Sequence, residues 1–381
     1  MSCDYLALAN IGVQGLHPYQ PGKPIEELQR ELGLTHIVKL ASNENPLGLS
    51  KKVKAVISDE MVLSELTRYP DGAGFDLKAK LSQHYSLQPE QITLGNGSND
   101  VLNLIGLSYI NNHCSVVFSE HAFVVYPIMT QCLGARAISV PAKNYGHDLE
   151  AMLAAIDSDT SVVFIANPNN PTGTWLSHSA VTEFMHNVPS HVMVVLDEAY
   201  SEYIAEADTG VSYADGLVLV KQFPNLILTR TFSKAFGLAG LRVGFSVASE
   251  EVADVLNRVR EPFNVNSLAQ LAAAAVLDDS EYLAEGVRVN NAGRAQLETA
   301  FDALGFSFIP SQGNFISFDV SAINGLDGIA VYQALLERGV IVRPITPYGL
   351  PQHLRVSIGL EHENQSFIDA ITAIQLEQKN A

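Results

Sequence analysis

The stretch Ser161–Gly173, SVVFIANPNNPTG, decides the fold. Five apolar residues follow Ser161 without alternation, and then turn chemistry takes over. An unbroken β-branched run is what a strand buried on both faces requires, as in a parallel sheet covered by helices. Six further runs resemble it: QITLG (91–95), SVVFS (115–119), RAISVP (136–141), HVMVVLDEAY (191–200), NLILTRT (225–231) and LRVGFSVAS (241–249). Longer helical-looking segments alternate with them, and this βαβ rhythm predicts an α/β fold with a mostly parallel central sheet flanked by helices. Ser249–Leu256 and Ala284–Leu304 read as helices. Beyond them FSFIP (306–310), GNFISFDV (313–320) and HLRVSIG (353–359), with a helix at GIAVYQALLERG (328–339), read as a smaller α+β unit. The first 40 or so residues, Pro- and Gly-rich at HPYQPGKP (17–24), read as an arm.

A chain of 381 residues exceeds one ordinary core, so two domains are expected. The 47% apolar and 17% charged fractions belong to a folded globule. The net charge of −18, from 23 basic against 41 acidic residues, argues against nucleic acid or an anionic membrane as partner. An anionic ligand would therefore need a few arginines to build a local positive site. The longest uncharged apolar run, LAQLAAAAV, falls short of a membrane span. The N-terminal MSCDYLALANIG has an early Asp and no basic region, unlike a signal peptide. Cys3, Cys114 and Cys132 are odd in number and lack metal-ligand spacing, which points to a reducing, cytoplasmic setting. None of the 11 histidines pairs at metal spacing, so no metal is expected.

In open parallel sheets ligands bind beyond the carboxyl ends of strands. Three runs end there in polar residues: Asn167, Asn169 and Asn170; then Asp197, Glu198 and Tyr200; then Ser233 and Lys234. A fourth, QITLG, leads through Gly97, Ser98 and Asn99 into a helix whose free N–H groups suit an anion. Arg242 adds a planar phosphate donor. Each piece also has a plain reading. NPNNPTG makes a good turn, Asp197 could cap a helix, GNGS could be a simple loop, and Lys234 could snorkel to water. Taken together, a lysine, a carboxylate, a phenol, a carboxamide and a phosphate cup match pyridoxal 5′-phosphate. The lysine forms a Schiff base as a neutral amine. The carboxylate keeps the ring nitrogen protonated, so that the ring can act as an electron sink.

The set resembles the fold-type-I pyridoxal-phosphate aminotransferases and, within them, is similar to the histidinol-phosphate aminotransferases. KLASNENPLG, RYPDG, GNGSND, NPNNPTG, DEAY, TFSKAFGLAGLR and LRVSIG stand in family order across essentially the whole chain. The resemblance implies an arm over 1–40 joining the small domain, a large cofactor-binding domain over 41–275 and a small domain over 276–381. It implies that Lys234 is the Schiff-base lysine, that Asp197 faces the ring nitrogen, and that Tyr200 and Asn170 contact the ring oxygen. Gly97, Ser98, Asn99, Ser233 and Arg242 would hold the phosphate, with Thr231 behind them. Phe123 would stack on the ring. Tyr69 would reach the phosphate of the neighbouring subunit, giving a homodimer with shared active sites. Arg355 would clamp the substrate's anion, with Tyr19, Asn43, Asn170 and Arg343 in the same pocket.

The implied reaction is ping-pong transamination between histidinol phosphate and 2-oxoglutarate, in histidine biosynthesis. Aromatic amino-acid aminotransferases and the threonine-phosphate decarboxylases resemble the same subgroup. Two departures from the family's usual residues stand out: Asn99-Asp100 after Ser98, and His121-Ala122 before Phe123. Two readings from other classes are a ligand sensor attached to a DNA-binding module and a cofactor-free scaffold. The chain carries no helix-turn-helix segment or basic patch for the first. The second predicts no visible absorbance.

Overall fold

A computed structural model describes residues 3–18, 22–204 and 211–380. All seven runs are strands of one sheet: β2 (Ile92–Gly95), β3 (Ser115–Ser119), β4 (Arg136–Val140), β5 (Thr160–Ala166), β6 (Met193–Asp197), β7 (Leu226–Thr231) and β8 (Gly244–Val247). Their order is β2-β8-β7-β6-β5-β3-β4, and β8 alone runs antiparallel to its neighbours. The missing alternation has a direct cause. Val163, Ile165, Val194, Leu196 and Leu228 pack into a core on one face, and Val162, Phe164, Val195 and Ile227 into a second core on the other.

Register lines up the edge that matters. Ala166 lies opposite Asp197, Asp197 opposite Thr229, Thr231 opposite Gly244, and Gly244 opposite Gly95. Four strands, β2, β5, β6 and β7, therefore end, and the antiparallel one begins, on a common ridge.

A second sheet of four antiparallel strands has the order β12 (Arg343–Pro344), β13 (His353–Ser357), β10 (Phe315–Asp319), β9 (Phe308–Ile309). Its core also takes in Leu297 and Phe301 from the helix Ser280–Leu304, whose start packs on the large-sheet core through Tyr282 and Leu283. Residues ahead of 41 pack with this smaller unit. Strand β1 (Val38–Lys39) pairs in parallel with β11 (Val340–Ile341), and Leu28 sits against Ala41, Leu336 and Ile341. The N-terminal stretch is more than an extended arm, because it carries the helix Ile25–Leu32. The helix expected at Ser249–Leu256 runs Glu250–Val259, with the Ser249 side chain capping it. Among the described residues, no helix is long and apolar enough to cross a membrane.

Candidate active site

The ridge of the large sheet and the inner strands of the small one enclose a cavity of about 260 Å³. Asp197 enters it from the end of β6 and is buried. Tyr126 Oη donates to its Oδ2 at 2.8 Å, and Thr229 Oγ1 to its Oδ1 at 2.9 Å. Thr229 is in place because β6 and β7 pair in register. Burial raises the Asp197 pKa, and the two hydroxyls pull it back.

Lys234 follows β7 and also lines the cavity. Its Nζ donates to the Ser42 carbonyl at 3.0 Å and lies 5.7 Å from the centre of the Tyr200 ring. Burial first, then the positive charge of Arg355, bring the Lys234 pKa down from 10.5 to about 7. Near neutral pH a large share is therefore free amine, the form that attacks a carbonyl.

The Tyr200 hydroxyl accepts from Asn43 Nδ2 and Asn170 Nδ2, both at 3.1 Å. Burial pushes its pKa up to about 12, so the phenol keeps a proton to donate. Arg355 Nη1 donates to Asn170 Oδ1 at 2.6 Å and Nη2 to the Ala41 carbonyl at 2.8 Å, which fixes the direction of the Asn170 amide. Asn43 is held in a left-handed conformation (φ 55°) by Ser357, whose Oγ accepts from the Asn43 N–H and donates to Oδ1. Arg343 and Arg355 sit directly opposite each other on β12 and β13, and both line the cavity. Facing cations across a strand pair repel unless an anion joins them.

The anion cup depends on two glycines. Gly97 begins the helix Ser98–Tyr109 with φ 85° and no side-chain cap. A Cβ there would lie 2.2 Å from Arg242 Nη2, and one on Gly244 2.5 Å from the Ser98 nitrogen. The uncapped helix start thus fits between a strand and a guanidinium, with its dipole positive toward the cavity. Ser233 Oγ accepts from Arg242 Nη1 at 3.1 Å and from Thr231 Oγ1 at 3.0 Å, leaving its own hydrogen to donate. Ser98, Asn99, Thr231, Ser233 and Arg242 all face the cavity. Phe123 does so too, edge-on to Tyr126 with centroids 5.8 Å apart. This donor set fits pyridoxal phosphate: an anion cradle that a Cβ would fill, a buried amine of low basicity, and a buried acid with no cation bonded to it.

A family model, Aminotransferase class I and II, matches residues 35–371. The chain belongs to that family. This aminotransferase is 57% identical over 376 residues to histidinol-phosphate aminotransferase 2 of Pseudomonas fluorescens, covering 98% of the chain and 99% of the relative. It is 59% identical over 370 residues to histidinol-phosphate aminotransferase 2 of Pseudomonas aeruginosa, covering 97% and 98%. The crystal structure of histidinol-phosphate aminotransferase from Sinorhizobium meliloti, in complex with pyridoxal-5′-phosphate, superposes with a TM-score of 0.86 at 27% identity, over 96% of this chain and 97% of that one.

Some residues expected in the crevice of this aminotransferase lie elsewhere. Glu198 turns to the far face of the sheet and pairs with Arg230 at 2.6 Å. Asn167 and Asn169 brace the loop: Asn167 Oδ1 accepts from the Leu176 N–H, and Asn169 Nδ2 donates to Thr172 Oγ1 within it and to the His121 carbonyl across to the next segment. Tyr69, expected at the neighbouring subunit's site rather than in this cavity, is 82% exposed and stacks on Phe263 at 4.7 Å. Tyr19 falls outside the described residues. Four contributors escaped the sequence reading: Tyr126, Thr229, the Ser42 carbonyl and Tyr348. For Tyr126 a usable signal was its position three residues after Phe123, where a single turn, closed by the Tyr126 N–H on the Phe123 carbonyl at 3.0 Å, brings the two together.

Proposed function

We propose that this aminotransferase uses pyridoxal 5′-phosphate to exchange an amino group between histidinol phosphate and 2-oxoglutarate, on the route to histidine. One observation carries the reading. A single cavity holds a buried lysine of lowered basicity, a buried acid with no cation bonded to it, an anion cup and a facing arginine pair. The relatives' shared name selects the substrate.

When bound, the cofactor supplies an electron sink for the carbanion at the substrate's α-carbon. Lys234 would hold its aldehyde carbon and, once released, would carry the proton at the substrate's α-carbon. Asp197 holds positive charge at the ring nitrogen. Tyr200 and Asn170 hold the ring oxygen. Phe123 covers a ring face. Ser98, Asn99, Ser233 and Arg242 hold the phosphate, with Gly97 admitting Arg242 and Thr231 steadying Ser233. Arg355 and Arg343 take the carboxylate of glutamate or the phosphate of histidinol phosphate, next to Asn43.

Residues 41–275 form the cofactor domain in this reading. Residues 276–381, with 1–40 joined to them, form the smaller one, as the packing of Leu28 and Val38 supports. The enzyme is a homodimer. Tyr69, Met61, Phe75 and Phe263 are exposed apolar groups for a second copy to cover, and Tyr69 then reaches the partner's phosphate. A cytoplasmic location agrees with the three free cysteines.

The test is spectral. Protein loaded with pyridoxal phosphate is expected to lose its visible band on adding histidinol phosphate or glutamate and to keep it with phenylalanine. Lys234→Ala is expected to abolish turnover. Normal turnover in that variant would overturn the proposal, and a response to phenylalanine alone would move the substrate to an aromatic amino acid.

A further inference from the structure

We propose that Tyr126 is a positioning residue for Asp197: its hydroxyl sets the direction of the carboxylate and keeps negative charge available to the cofactor's ring nitrogen. The inference rests on the proposed cofactor and goes beyond it, to the group that tunes the acid.

Tyr126 belongs to the helix Val125–Cys132, which starts just after Phe123. It is fully buried, and its ring lies flat on Phe164 of β5, with centroids 4.6 Å apart and planes at 9°. Its carbonyl accepts from Thr130 Oγ1 at 2.8 Å. A ring held this way can aim its hydroxyl in only a narrow range of directions, and Asp197 Oδ2 lies there at 2.8 Å. Burial first, then the charge of Asp197, hold the phenol pKa well above its ordinary value. The proton therefore stays on the tyrosine, which acts as the donor. Thr229 occupies the other carboxylate oxygen. Both donors are neutral, so they stabilise the carboxylate's charge without cancelling it, and a carboxylate has lone pairs to spare for the cavity.

Removing the hydroxyl makes Asp197 more basic. The carboxylate then draws the proton away from the ring nitrogen, and the ring withdraws fewer electrons. The nitrogen through which Lys234 holds the cofactor becomes more basic in turn. The pH at which the visible band of the loaded enzyme titrates therefore reports on Tyr126, whereas a packing role would leave it unmoved.

Tyr126→Phe keeps the stack on Phe164 and removes only the oxygen. In the loaded enzyme the titration midpoint is expected to rise by about half a pH unit. The kcat is expected to fall about tenfold at nearly constant KM, the mark of an interaction used in the transition state. Site-specific 3-fluorotyrosine at position 126 keeps the hydroxyl as a stronger donor and is expected to lower the midpoint. It also decides the matter if Tyr126→Phe does not fold. Midpoints that coincide with the native one, in protein that carries its visible band, overturn the proposal. Native protein that acquires no visible band with pyridoxal phosphate sinks the functional reading instead.

Discussion

Asp197 and Glu198 are consecutive acids, both buried, and they meet opposite fates. Asp197 faces the cavity and receives only neutral donors, the hydroxyls of Tyr126 and Thr229 and the Ala199 backbone N–H. Glu198 faces the other side and receives a guanidinium: Arg230 Nε and Nη2 donate to Oε2 at 3.0 and 2.6 Å, and the Gly216 N–H to Oε1 at 2.7 Å. Arg230 is itself backed by the Tyr85 ring, 5.4 Å from its carbon. Burial raises the pKa of both acids, and at Glu198 the charge of Arg230 pulls against it. The chain completes one acid with a cation of its own. It leaves the other to be completed by something bound, which is how a structural acid differs from a working one at equal burial.

Substitution can break this contrast from either side. Asp197→Asn keeps the shape and loses the charge. Turnover at saturating cofactor is expected to fall by about 10²–10³-fold, as when a charge-stabilising group leaves an active site, while the melting curve stays near native. Turnover within a few-fold of native would erase the distinction. Glu198→Ala is expected to do the reverse. It strands a buried guanidinium, at a cost of roughly 3–5 kcal/mol. Denaturant titration should show the loss, and activity per bound cofactor should remain within a few-fold. A variant as stable as native would mean that Asp215, 3.4 Å from Arg230, and the charge of the buried Glu202 suffice as its partners.

The same pair shows where the sequence was readable. The seven strands were legible because burial on both faces removes alternation. The cluster of Lys234, Asp197, Tyr200, Asn170 and Ser233 was legible because each residue stands at or just beyond the end of such a run, whereas Arg242 stands where the antiparallel run begins. Glu198 lies across the sheet from Asp197 because neighbouring residues along extended chain point to opposite faces, a distinction that two acids side by side in DEAY do not reveal. Thr229 was invisible without the order of β6 and β7, since only register puts it beside Asp197. Two helices did carry a signal. Ile25, Leu28 and Leu32 fall on one helical face of Ile25–Leu32, but the Pro- and Gly-rich stretch before them dominated the reading. Before the apolar run near Leu268, Asn266 caps the helix Ser267–Leu277 through the Ala269 N–H.

The smallest expected effect sharpens the contrast without touching turnover. Lys234 has a folded pKa of about 7 against an ordinary 10.5, because burial and Arg355 oppose its charge. Between those two values the unfolded chain holds a proton that the folded chain does not, so stability rises with pH across that window and falls as pH drops toward 7. Denaturant titration of the cofactor-free protein at pH 7 and pH 9.5 should show the higher stability at the higher pH. Lys234→Met should flatten that difference, since it removes the titrating amine and retains an unbranched side chain. A rise that persists in Lys234→Met would place the responsible group elsewhere, and the lysine would then enter the fold at no electrostatic cost.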